Sequence, residues 1–160
     1  MVRRRTGSGN GTARRRLLRA STAAITLCAG LGLSPAAATA AAPKPAAVFV
    51  ADINAARAAH GLKPVKVSSD LTAVAAKWAA TMARKHTLAH NPQLGTVIHH
   101  WRGLAENVGM GYSVTQVHGA FMRSAPHRAN ILDRTYTQVG VGVVIVGKQV
   151  YVVEDFRRPA

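Results

Sequence analysis

Thiol chemistry is nearly absent from these 160 residues: the one cysteine, Cys28, sits inside an apolar N-terminal stretch. With no second thiol there is no disulfide, and beyond residue 28 there is neither a cysteine nucleophile nor a thiolate metal ligand. Whatever folds must hold by packing alone. Acid is scarce too, with six Asp and Glu against 21 Lys and Arg, a formal net charge of +15. Aromatic residues make up 5%. Arg84-Lys85, Arg123, Arg128 and Arg134 lack interleaved aromatics, so no nucleic-acid partner is expected. The apolar stretch, diluted by Gly and Ser, falls short of the roughly 20 strongly apolar residues of a membrane-spanning helix.

What the N-terminus does contain is the order of an export signal. Basic runs at Arg3-Arg4-Arg5 and Arg14-Arg15-Arg16 precede an uncharged stretch from Ala20 to Leu33, then small residues at Ala38-Thr39-Ala40 and Ala40-Ala41-Ala42. Residues 1–42 are expected to be removed, with cleavage after Ala40 or Ala42. Ala13 to Arg19 is similar to a twin-arginine signal but lacks Ser/Thr at its head and the later Phe, so that route and the general one both stay open. Leu27 stands before Cys28 where a lipoprotein signal has a small residue, so lipid attachment is not expected. Seven Arg leave with the signal; fourteen Lys and Arg against six acids give a mature charge of +8. Such a charge favours anionic partners such as wall polymers or phospholipid surfaces without naming one. The product is expected to be secreted, extracellular or cell-wall associated: one monomeric domain at 48–158 behind a linker at 43–47.

Helical spacing places Phe49, Ile53 and Ala56 on one stripe between Ala46 and His60, with Gly61 as a stop. Ser68-Ser69-Asp70 can cap a second helix whose Leu71, Val74, Ala75, Trp78, Ala79 and Met82 form a buried face. Residues 86–103 lack a period and predict a long loop, with a helical turn at His99-His100-Trp101-Arg102. Ser113 can cap a third helix carrying Val114, Val117 and Phe121, and Pro126 can start a short one through Leu132. Two β-branched runs, Val139–Val146 and Gln149–Phe156, meet at Gly147-Lys148 as a hairpin. Together these predict an α+β domain with helices packed on a small antiparallel sheet.

Laid end to end, Asn54-x-x-Arg57 with Gly61-Leu62, Leu88-Ala89-His90-Asn91, Glu106-Asn107, His127 to Leu132 and Val139-Gly140-Val141-Gly142 resemble the bacterial branch of the CAP superfamily. That superfamily comprises the cysteine-rich secretory, antigen 5 and pathogenesis-related proteins. The resemblance implies an α-β-α sandwich with a central antiparallel sheet and a cleft that in many members carries two His and two Glu. By matched position His90 and His127 are the histidines and Glu106 the first glutamate. The second glutamate's place falls at Ser124, and Asn130 stands where the family has glutamine. No cofactor is required on this reading; if the cluster holds a metal, His90 and His127 are its ligands and zinc its ion. Glu154 or Asp155 could substitute for the missing carboxylate.

Other catalytic patterns fail on residue type. His86-Thr87-Leu88-Ala89-His90 has Thr where the helical zinc motif places Glu. Ser124, His127 and Asp133 lie close in sequence, yet Pro126 interrupts their register and no oxyanion hole is recognisable. Trp78 and Phe121 are expected in the core, and His60, His99, His100 and His118 on the solvated surface. Two functions remain. The first is a non-catalytic module that binds an envelope or extracellular ligand, a lipid or an anionic polymer. The second is a metal-assisted hydrolase or peptidase, with Glu106 as general base.

Overall fold

The computed structural model describes residues 44–160; the expected export signal and its expected cleavage site lie outside the described residues. Its elements run α1 (Pro45–Ala59), β1 (Lys66–Val67), α2 (Ser69–Lys85), α3 (Leu94–Val97), β2 (Trp101–Gly111), α4 (Val114–Arg123), α5 (Ala125–Leu132), β3 (Gln138–Val146) and β4 (Gln149–Pro159). Helix α1 begins two residues before the expected linker ends, because Pro45 is preorganised for a first helical turn.

Four strands form one sheet in the order β1-β3-β4-β2. The terminal hairpin β3–β4 is antiparallel, with Val146 opposite Gln149 across Gly147-Lys148. β2 is antiparallel to β4 and lies at the edge of the sheet. The two-residue β1 pairs with β3 in parallel, so the sheet is mixed rather than purely antiparallel. The expected helical turn at residues 99–102 is also displaced. Leu94–Val97 make the turn, and Trp101 already belongs to β2.

Successive residues on a strand face opposite sides, which builds two cores. On one side Val139, Val141, Val150, Val152 and Phe156 meet Phe49 and Ile53 of α1, Val117 and Phe121 of α4 and Ile131 of α5. Burial of each large apolar side chain contributes roughly 1.5–3 kcal/mol. On the other side Val108, Tyr151 and Val153 meet Ala75, Ala79 and Met82 of α2. Layers of helix, sheet and helix result, the α-β-α sandwich. Residues 44–160 belong to one compact unit.

Helix α2 is capped differently from expectation. Ser68 occupies the N-cap, but its hydroxyl faces Asp70 and accepts from Arg157 Nη2 at 2.9 Å. Asp70 in the first turn is well placed against the helix dipole and pairs with Arg157 at 2.7 Å. Its hydrogen bond from Ser68, with help from Arg157, holds the carboxyl down at about 2. Ser113 caps α4 as expected, its Oγ accepting from the Gln116 N–H at 3.1 Å. Among the described residues no helix is long and apolar enough to cross a membrane.

Candidate functional site

Edge strand β2 carries Glu106 and Asn107 on opposite faces, and a set of polar side chains gathers around each. Glu106 faces the segment that follows α2. Its Oε1 accepts from His90 Nδ1 at 2.7 Å and from the Asn91 N–H at 2.8 Å. The pair is lopsided, since the His90 side chain is 66% exposed and that of Glu106 only 6%. Helix α2 ends at His86 in a left-handed conformation (φ 51°), which turns the chain toward His90. Trp78 Nε1 donates to Ala89 O at 2.8 Å and ties that segment back to the helix. Trp78 is therefore half-buried beside a cavity rather than sealed in the core.

Across the edge, Asn107 reaches α5. Its Nδ2 donates to His127 O at 3.1 Å and to Glu154 Oε2 at 2.9 Å, while its Oδ1 accepts from Asn130 Nδ2 at 2.9 Å. Asn130 thus positions Asn107 rather than lining a ligand's path. The His127 ring stacks on Phe121 with centroids 4.9 Å apart, and its Nδ1 lies 2.7 Å from Ser124 Oγ. Pro126 therefore does not keep Ser124 and His127 apart: Ser124 is the N-cap of α5 and His127 lies in its first turn, so the two side chains meet at i and i+3. A triad is still not formed, because Asp133 Oδ1 accepts from the Thr135 N–H instead of orienting the imidazole. Burial lowers the pKa of His127, and the field of His90 lowers it further.

Neither carboxylate of β4 replaces the missing glutamate. Glu154 lies on the Asn107 face with Oε1 unpartnered, and Asp155 lies opposite Glu106 across the strand pair with neither oxygen partnered among the described residues. Burial pushes both up to about 8; the Asn107 hydrogen bond restrains Glu154, and the charge of Glu106 raises Asp155 further. An unfolded carboxyl releases its proton near pH 4. Between pH 4 and pH 8 the folded state therefore binds more protons, so stability from these groups is complete below pH 4 and is lost as pH rises through 8. Buried His127 and His118 act oppositely, their lowered values adding stability as pH rises through the ordinary histidine range. Asp155→Asn removes one ionisation while keeping its shape. It is expected to stabilise the protein by roughly 2 kcal/mol or more at pH 8 and by little at pH 4.5, measured by urea unfolding at both values. An equal effect at both would show Asp155 ionised in the fold.

One histidine departs from the expected solvated surface, while His60, His99 and His100 are exposed as expected. His118 is half-buried edge-on to Phe49, with centroids 6.2 Å apart. His60 donates Nδ1–H to Ala56 O at 2.8 Å, and its Nε2 lies 3.1 Å from Arg128 Nη2.

A sequence model described as CAP, the cysteine-rich secretory protein family, matches residues 50–156. The chain belongs to the CAP family. An outer surface protein from Borrelia burgdorferi shares its fold at a TM-score of 0.67 and 14% identity, covering 72% of this chain and 93% of that one. An extracellular SCP-domain protein from Bacillus anthracis aligns at 0.63 and 20%, covering 71% of this chain and 40% of that one. A cysteine-rich secretory protein from Staphylococcus aureus aligns at 0.55 and 23%, covering 75% and 40%. No curated protein sequence matches the chain.

Of the cleft residues expected from the family resemblance, His90, Glu106, His127 and Ser124, the fold forms two pairs. His90 and Glu106 meet directly, whereas His127 is joined to Ser124. The residues present do not fit a zinc centre: among the described residues no three His, Cys, Asp or Glu side chains converge with metal-binding geometry. A structural zinc site needs four donors and a catalytic one three.

Proposed function

We propose that this CAP domain is a secreted, non-catalytic module that binds an anionic ligand of the cell envelope. The observation that carries this reading is the uneven burial of charge. Glu106 has a nearly covered side chain, Glu154 and Asp155 are buried, and Asp70 is paired with Arg157. That leaves Asp52 and Asp133 as the acids that are neither buried nor ion-paired among the described residues. Of the fourteen Lys and Arg in 41–160, only Arg57 and Arg157 are buried. The outer surface is therefore more cationic than the mature charge of +8 suggests, and a polyanion is the ligand class that gains most from it. The export-signal order of residues 1–42 and the extracellular and surface relatives support secretion.

The processed protein is expected to cosediment with isolated cell walls at low salt, to release as ionic strength rises, and to keep this behaviour after His127→Ala. Absence from the wall pellet at both low and moderate salt would overturn the reading. Anionic liposomes, run in parallel, decide between wall polymer and lipid headgroups; retention by walls alone is expected.

A further inference from the structure

At the far end of α1 from its N-terminus, Arg57 is 1% exposed and has no carboxylate partner within ion-pair distance among the described residues. Its partners are all backbone carbonyls. Nε donates to Lys63 O at 2.9 Å, Nη1 to Ile131 O and Asp133 O at 2.8 Å each, and Nη2 to Tyr136 O at 3.2 Å. A guanidinium has five N–H groups. Four are engaged; the fifth, on Nη2, has no acceptor among the described residues. Carbonyl dipoles satisfy donors without supplying a net negative charge, and a buried ion is normally paired.

The guanidinium borders a pocket of about 460 Å³ whose lining includes His60, Lys63, Arg134 and Tyr136, and no acid. Lys63 and Arg134 are exposed, so their charged heads stand at the mouth. A carbonyl only accepts, so His60 Nδ1 bears the proton on Ala56 O, and its Nε2 accepts from Arg128. That contact holds a further guanidinium at the rim. Three cationic side chains thus surround an opening whose inner wall is a buried guanidinium with no ion-pair partner among the described residues, the field of Asp133 reaching it from beyond contact distance.

We infer that this pocket binds a phosphate group carried by an extended polyanion. Phosphate offers several acceptor oxygens to donors arriving from different directions, a match for forked guanidinium and ammonium groups. The volume exceeds what one small anion fills, and the mouth is open, so a chain can enter with its phosphate against Arg57. Neither His90 nor His127 lines this pocket, and its assignment rests on the proposal that the ligand is an anionic envelope polymer.

The test is an amide-resolved NMR titration of the processed protein with inorganic phosphate at constant ionic strength, followed by polyphosphate and by anionic phospholipid vesicles. Saturable shifts at Lys63, Arg134 and Thr137 are expected, with at least tenfold weaker phosphate binding in Lys63→Ala/Arg134→Ala. Lys77→Ala/Lys148→Ala, which removes the same charge elsewhere, should change binding less than twofold. Unsaturated shifts spread over all basic segments, or equal losses in the two double variants, would overturn the site. Tighter binding of polyphosphate than of inorganic phosphate supports the polymer; tighter binding of vesicles than of polyphosphate overturns it. If phosphate saturates the pocket but walls are not retained, the proposed function fails and the pocket stands. If walls retain wild type and Lys63→Ala/Arg134→Ala equally, the pocket's role fails and the proposed function stands.

Discussion

Gly142→Ala is expected to cost the protein roughly 3 kcal/mol or more, an overpacking penalty at the upper end because the obstacle is backbone. A methyl group there would lie 2.2 Å from the carbonyl carbon of Ala75 and 2.3 Å from its oxygen. At Gly140 it would lie 2.2 Å from Leu71 C and 2.3 Å from Thr72 N. Neither glycine has the positive φ that would demand one for backbone reasons. Both are present so that α2 can lie directly on β3, main chain against main chain. No rotamer change relieves such a contact; the helix must lift, loosening Ala75, Ala79 and Met82 from Tyr151 and Val153. Chemical unfolding of Gly142→Ala beside Gly147→Ala separates the two kinds of glycine. Gly147 sits in the hairpin turn at φ 59° with open space around it, so its substitution carries backbone strain alone. Equal, small losses at both positions would show that α2 does not approach β3 so closely.

Arg57→Ala is expected to destabilise by roughly 3–5 kcal/mol, because it removes a large buried side chain and leaves several carbonyl acceptors without a donor at about 1–3 kcal/mol each. Four carbonyls, from Lys63, Ile131, Asp133 and Tyr136, would lose their donor together. Those carbonyls lie in the segment after α1, the end of α5 and the approach to β3, so one side chain pins three parts of the chain. Arg57→Lys keeps the charge but not the planar fork, and should recover little of the loss. A loss below about 1 kcal/mol in urea unfolding of Arg57→Ala would mean that water satisfies the four carbonyls at small cost.

Helices were legible where a 3.6-residue period and a punctuation mark coincided, as at Leu71 to Met82 or between Ser113 and Phe121. The hairpin showed itself through β-branched runs around Gly147-Lys148. Strand β2 was hidden because its residues are poor strand formers: Gly, Ala, Glu and Asn fill much of it. Its alternation is visible once the face is known, with Leu104 and Val108 toward α2 and Ala105, Asn107 and Gly109 toward α4 and α5. Missing that strand hid the layout of the site, since the edge it forms separates Glu106 with His90 from Asn107 with His127. Arg57 carried a signal that composition alone obscures, a lone cation at the i+4 position of the Phe49 and Ile53 stripe. Trp78 lies on the correct stripe but at its margin, where a ring can be half-covered. The buried state of Glu154 and Asp155 follows from their place in β4 between Val153 and Phe156, where the sheet is covered on both faces.

Binding without turnover can be measured by incubating the processed protein with isolated cell walls. Wall-bound protein and soluble wall fragments are followed over the same hours. Protein is expected to accumulate on the walls with no fragments released above a protein-free control, and His90→Ala and His127→Ala are expected to bind as wild type does. Time-dependent fragment release that disappears in His90→Ala or His127→Ala would contradict binding without turnover.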